Sequence, residues 1–222
     1  MLFWRKVWAI LWKDIVSEWR SKDMSTSMLV FALMAVVIFN FAFELRVENV
    51  ANVAPGVLWV AICFAGVLGL NRSLILEKDR GCLEGLMLCP VDRSAIYLGK
   101  MLGNVLFMLA MEVVVLPVFA VFFNLPVFTP DLLLVVLVGT LGFAGVGTLF
   151  AAIAVNTRAR EVMLPVLLFP VAIPLIIAAV KSTESILTPT GVGEAPWLGL
   201  LAAFAAIFLV VATLTFEYVL EE

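Results

Sequence analysis

Six long apolar stretches fill most of this 222-residue chain, and the positive charges fall on alternate sides of them. The stretches run over residues 28–45, 55–70, 101–123, 132–155, 162–180 and 197–218. Each is close to the ~17–25 residues a helix needs to cross the hydrocarbon core. Lipid offers no hydrogen-bond partners, so such a stretch must satisfy its own backbone, which makes it a helix. The composition agrees: 64% of residues are hydrophobic and 14% charged, against roughly 25% charged in soluble domains. The pattern predicts an all-α integral membrane protein of one domain, residues 1–222, with six transmembrane helices.

Orientation follows from Lys and Arg. Twelve of the fourteen lie in the N-terminal segment (Arg5, Lys6, Lys13, Arg20, Lys22), the segment after span 2 (Arg72, Lys78, Arg80, Arg93, Lys100) or the one after span 4 (Arg158, Arg160). Only Arg46 and Lys181 fall on the other side. The positive-inside rule predicts a multi-pass protein of the inner (cytoplasmic) membrane with both termini in the cytoplasm.

Residues 1–22 read as an amphipathic interfacial helix. Trp4, Trp8, Trp12, Ile15 and Trp19 share one face at helical spacing, and Lys6, Lys13 and Arg20 share the opposite one. Tryptophan favours the headgroup zone and cations favour anionic lipid, so membrane lipid is the first partner expected. A cytoplasmic partner is the alternative reading of the same helix. Lys13 and Asp14 interrupt the first apolar run, so no cleavable signal peptide is read here. Nothing in the charge pattern points to nucleic acid.

The segment 72–100 is the most informative polar stretch. It carries the run Glu77, Lys78, Asp79, Arg80, and behind it Leu83, Leu86 and Met87 at helical spacing, with Glu84 between them. Pro90 ends this short helix, and Asp92 is placed to cap the next. A short helix with an apolar strip and charged flanks suits a socket on a soluble protein; a solvated turn is the simpler alternative.

Within span 3, Glu112 stands among Met111 and Val113–Val115. A charge there costs ~2.5–3.5 kcal/mol on insertion scales. It reads either as a polar contact at an interface or along a path, or as a side chain hydrogen-bonded inside the bundle. Span 4 carries Gly139, Gly142, Gly145 and Gly147, which allow close backbone approach within one bundle or, alternatively, a homodimer seam. Span 5 carries Pro165, Pro170 and Pro174, where kinks are expected.

The interfacial helix, the six spans and the charged loop after span 2 resemble membrane subunits of ABC-2-type transporters. The text Glu77-Lys78-Asp79-Arg80-Gly81-Cys82-Leu83-Glu84-Gly85-Leu86, then Pro90, then Leu98-Gly99-Lys100, resembles the CcmB family of cytochrome c maturation. The resemblance implies a permease-like subunit that works with an ABC ATP-binding subunit, a haem-handling membrane protein and a haem chaperone. It implies that Glu77, Asp79, Arg80, Leu83, Glu84, Leu86 and Met87 belong to the loop that couples ATP hydrolysis to haem export or chaperone release. It also implies that the outer segment 182–196 dips back into the membrane.

The residues add their own limits. No G-x-x-x-x-G-K-[ST] phosphate loop is present, so ATP dependence is expected through a partner and the chain is not expected to be an enzyme. There is no histidine, the usual axial ligand of haem, and the predicted outer loops lack Met, Cys and Tyr. No cofactor is therefore expected on this chain, with haem held by partners. Cys82 and Cys89 have no accompanying ligands for a metal. An ABC-2 permease for a lipid or drug, and an ATPase-independent carrier or scaffold, are the competing readings.

Overall fold

The computed structural model describes residues 2–44, 52–79, 81–82, 85, 91–155, 157, 159–188 and 196–219. The chain forms α1 (Leu2–Ser21), α2 (Asp23–Glu44), α3 (Ala54–Asp79), α4 (Arg93–Phe123), α5 (Pro130–Val155), α6 (Arg160–Leu187) and α7 (Trp197–Val219). No strand occurs among the described residues. The six helices after α1 are each long and apolar enough to cross a membrane. The fold is thus the expected all-α arrangement of six spans behind an N-terminal helix.

The helices are longer than the apolar runs alone indicate. Residues 72–79 continue α3 and residues 93–100 begin α4. The stretch read as a loop over 72–100 is therefore helical at both ends. Its charges mark it as loop in the sequence, but Glu77, Lys78, Asp79 and Lys100 sit on the helix ends and face partners there. Likewise, residues 182–187 of the expected re-entrant segment continue α6, and residues 189–195 lie outside the described residues. All three prolines of span 5 sit inside the one helix α6.

The junction of α1 and α2 is built by local chemistry. Lys22 takes a positive φ of 56°, which ends α1 and redirects the chain. Glu18 then caps α2: its Oε1 accepts from the Ser25 backbone N–H and from the Ser25 hydroxyl, each at 2.8 Å. Carboxylate oxygen at a helix start satisfies an orphan donor and meets the positive end of the dipole.

Helix α5 is the central element, packed against α3, α4, α6 and α7. Its glycines explain how. The Trp59 ring of α3 lies where a Cβ on Gly139 would stand, and the Leu70 side chain of α3 lies where one on Gly147 would. Gly142 faces Leu175 of α6 and Ala205 of α7, and Gly145 faces Leu209 of α7. All four glycines are therefore consumed by packing within one chain, which decides between the two readings of that pattern. Helices α2 and α7 are peripheral and present Phe31, Met34, Ile38, Phe41, Ile207, Val210 and Leu214 outward.

Helix α1 lies along α4. Val7, Ile10 and Leu11 are buried, while Trp4, Trp8, Trp12 and Trp19 are exposed on the opposite side. Gly99 of α4 meets Ile10, and Gly103 meets Leu11 and Asp14. These two glycines four residues apart let the helices approach.

Candidate functional site

The candidate site is the cytoplasm-predicted end of the bundle, where α1, α3 and α4 converge. Glu77 sits in the last turn of α3 and is largely buried. Lys100, eight residues into α4, is 2% exposed and lies 2.9 Å from Asp14 Oδ2 and 2.7 Å from Glu77 Oε2. Lys13 also pairs with Glu77, and it lies 3.2 Å from Asp14. Two cations and two carboxylates thus close a charge-balanced quartet across three helices. Glu77 Oε2 is held by charge rather than by an aligned hydrogen bond.

A buried ammonium is stable only where opposite charge repays its lost hydration. Lys13, whose side chain is partly exposed, shows the same balance in milder form. Burial pulls its pKa down, but Asp14 and Glu77 outweigh that and hold it above the ordinary lysine value. A cavity of about 200 Å³ opens beside the quartet, lined among others by Ser17, Glu18, Ser73 and Cys82. The cations Lys6 and Lys13, expected to meet anionic lipid, turn to carboxylates instead: Lys6 lies 3.5 Å from Asp92. Asp92 holds the N-cap position of α4 but makes no side-chain capping bond, contrary to its expected role.

The next two residues of α3 fix the segment in other directions. Lys78 Nζ donates to the carbonyl of Val155, the last residue of α5, at 3.0 Å. Asp79 receives two N–H bonds from Arg160, at 2.8 and 3.2 Å, at the first residue of α6. So Glu77, Lys78 and Asp79, consecutive in sequence, tie α3 to α1 and α4, to the end of α5 and to the start of α6. Of the other residues read as coupling residues, Arg80, Leu83, Glu84, Leu86 and Met87 lie outside the described residues.

Glu112 is 2% exposed, deep in α4 and far from this cluster. Its Oε1 accepts from the Thr140 hydroxyl of α5 at 2.5 Å, and its Oε2 has no donor. Eight residues closer to the cytoplasm-predicted end, Asn104 donates to Thr148 at 2.9 Å. Both pairs share one antiparallel register, about 12 Å apart along the seam. The structure therefore places Glu112 in a polar seam within the bundle, separate from the quartet.

Sequence reasoning did not bring Lys13, Asp14, Lys100 and Arg160 to the site. The available signal was Gly99-x3-Gly103, a small-residue pair bracketing Lys100. It marks a close helix contact exactly where a lysine side chain could be covered. No group of three or more His, Cys, Asp or Glu side chains able to hold a metal occurs among the described residues.

The chain is 29% identical to heme exporter protein B of Pseudomonas aeruginosa over 180 residues, 80% of each chain. It is 31% identical to heme exporter protein B of Rhodobacter capsulatus over 152 residues, 67% of this chain and 69% of that one. Against heme exporter protein B of Bradyrhizobium diazoefficiens it is 26% identical over 204 residues, 91% of each. The profile of the family described as CcmB protein matches residues 5–221, from the amphipathic helix to the last span. On that near-complete match, the chain belongs to the CcmB family.

Proposed function

We propose that this chain is the permease-like membrane subunit of an ABC transporter complex in cytochrome c maturation. A separate ATP-binding subunit hydrolyses ATP. The segment from Glu77 to Met87 couples that hydrolysis to haem export or to release of a haem-loaded chaperone. The termini and this segment face the cytoplasm, and the complex sits in the inner membrane.

One observation carries the coupling reading. Three consecutive charged residues at the end of α3 lock onto three separate parts of the bundle. A load applied to residues 80–92 is thereby handed to α1, α4, α5 and α6 at once. The names of the relatives support the haem pathway, and the absence of histidine supports haem being held by a haem-handling membrane protein and a chaperone. Leu83, Glu84, Leu86 and Met87 supply the docking face, and Arg80 its charged flank. Glu112 is a polar contact of the membrane path.

The test is affinity purification from membranes with identification of bound proteins, combined with deletion of the chain. An ATP-binding subunit and a haem-handling membrane protein are expected to copurify, and c-type cytochromes to disappear on deletion. Normal c-type cytochromes without this chain would overturn the reading. Substrate-stimulated ATPase activity with no haem partner would assign the chain to an ABC-2 permease for another substrate.

A further inference from the structure

Pro165 lies in the second turn of α6 and has no N–H to give. The carbonyl of Glu161, four residues earlier, is thereby left without its intrahelical donor. The side-chain amide of Asn71 on α3 donates to that carbonyl at 3.2 Å. Seven residues along the same face of α3, Lys78 donates to Val155 O, a second carbonyl that its own helix end cannot satisfy. Asp79 then takes the two-pronged bond from Arg160. The last turns of α3 therefore clasp both sides of the α5–α6 turn, and two of the three attachments fill backbone vacancies that those helices create.

Beyond the clasp, α6 loses two more backbone donors at Pro170 and Pro174. Prolines are where helices bend. Helix α5, by contrast, is held on several sides by side chains packed onto its glycines. A displacement delivered at the cytoplasm-predicted end thus meets a stiff α5 and an α6 that can yield.

We propose that α6 is the span driven by the coupling segment, and that Asn71 and Arg160 are the positioning residues that make the end of α3 and the start of α6 move as one body. This rests on the ATP-coupling reading above. The bidentate Arg–carboxylate geometry fixes orientation as well as distance, which a single contact would not.

The test uses the whole complex in membranes with Asp79→Arg, Arg160→Asp and the two together. An ion pair this exposed contributes little to folding, so the single variants are expected to accumulate normally. Each single change is expected to lower c-type cytochrome output several-fold while the purified complex keeps hydrolysing ATP. The swapped pair is expected to restore output, which shows that the two residues act through each other; retained ATP hydrolysis at normal accumulation is what a structural loss would not give. Should the single variants fail to accumulate, Asp79→Asn and Arg160→Gln, which remove the ion pair without bringing like charges together, decide the matter. Each is expected to accumulate and to lower output while ATP hydrolysis continues. Wild-type output from both of these, or from both charge reversals, overturns the proposal. If no ATP-binding subunit copurifies with the wild-type chain, the coupling reading falls and this proposal with it. If that subunit is present and the charge reversals have no effect, only this proposal falls.

Discussion

Lys100 of α4 and Glu77 of α3, on the two helices that flank one connecting segment, meet at 2.7 Å with both side chains largely buried. Asp14 and Lys13 of α1 complete the balance of charge. Removing one member strands its partners. Lys100→Met leaves two carboxylates against one lysine, and breaking a buried pair this way costs about 3–5 kcal/mol. Adding Glu77→Leu restores a one-to-one balance between Lys13 and Asp14, so the double variant is expected to be more stable than Lys100→Met alone. Thermal unfolding in detergent, read by size-exclusion chromatography, checks the order. Equal or additive losses would show that the four side chains do not act as a unit.

The glycines of α5 predict a contrast. A Cβ on Gly139 would run into the Trp59 ring, which is fully buried and tied to Thr183 by a 2.9 Å hydrogen bond. That ring has nowhere to go, so Gly139→Ala is expected to cost about 1–3 kcal/mol of overpacking. A Cβ on Gly147 would overlap only the end of the Leu70 side chain, which is also buried but has far fewer atoms to shift than an indole ring. Replacing a helical glycine by alanine gains up to ~1 kcal/mol in propensity. Gly147→Ala is therefore expected to be close to neutral in the same unfolding measurement.

The spans were legible because lipid forces a simple rule onto sequence: long apolar runs become helices. The amphipathic face of α1 was legible for the same reason, through its tryptophans. Glu77 and Lys100 show where that reading stops. A charge beside an apolar run looks like loop, yet both residues belong to helices and are covered by α1. Their pairing depends on how α1 lies along α4, which no local pattern encodes. Asn71 was silent too. Its partner is a carbonyl vacancy made by Pro165, ninety-four residues away. Each half of that contact is ordinary alone, and only the fold puts the donor opposite the gap.

Glu112 and Thr140 form the deepest polar pair of the α4–α5 seam. Glu112→Gln keeps an oxygen for the Thr140 hydroxyl and removes only the acid function. Normal accumulation with reduced c-type cytochrome output is expected. Full output would reduce Glu112 to a hydrogen-bond acceptor, and Thr140→Val should then be the more harmful change. Comparing the two variants separates acid chemistry from packing, because both leave the volume of the seam nearly unchanged.

The segment after α3 gives the most direct check on orientation and coupling. Gly81 has a positive φ of 66° and donates its N–H to Lys78 O at 3.0 Å, which terminates α3. Cys82 follows immediately and is exposed. In membrane vesicles of known sidedness, a membrane-impermeant maleimide is expected to reach Cys82 from the cytoplasmic side alone. Labelling from the outer side alone would invert the bundle and remove any access to an ATP-binding partner. With the side established, Glu84→Lys and Leu86→Arg test the docking face. Both are expected to leave the chain in the membrane at normal levels, because neither belongs to an apolar span. Both are expected to lower c-type cytochromes by weakening attachment of the ATP-binding subunit or by disconnecting its hydrolysis. Unchanged cytochromes in both variants would move the docking face away from residues 83–87. Measuring bound ATP-binding subunit alongside its hydrolysis rate tells the two failures apart: lost attachment lowers both, whereas lost transmission leaves hydrolysis running without output.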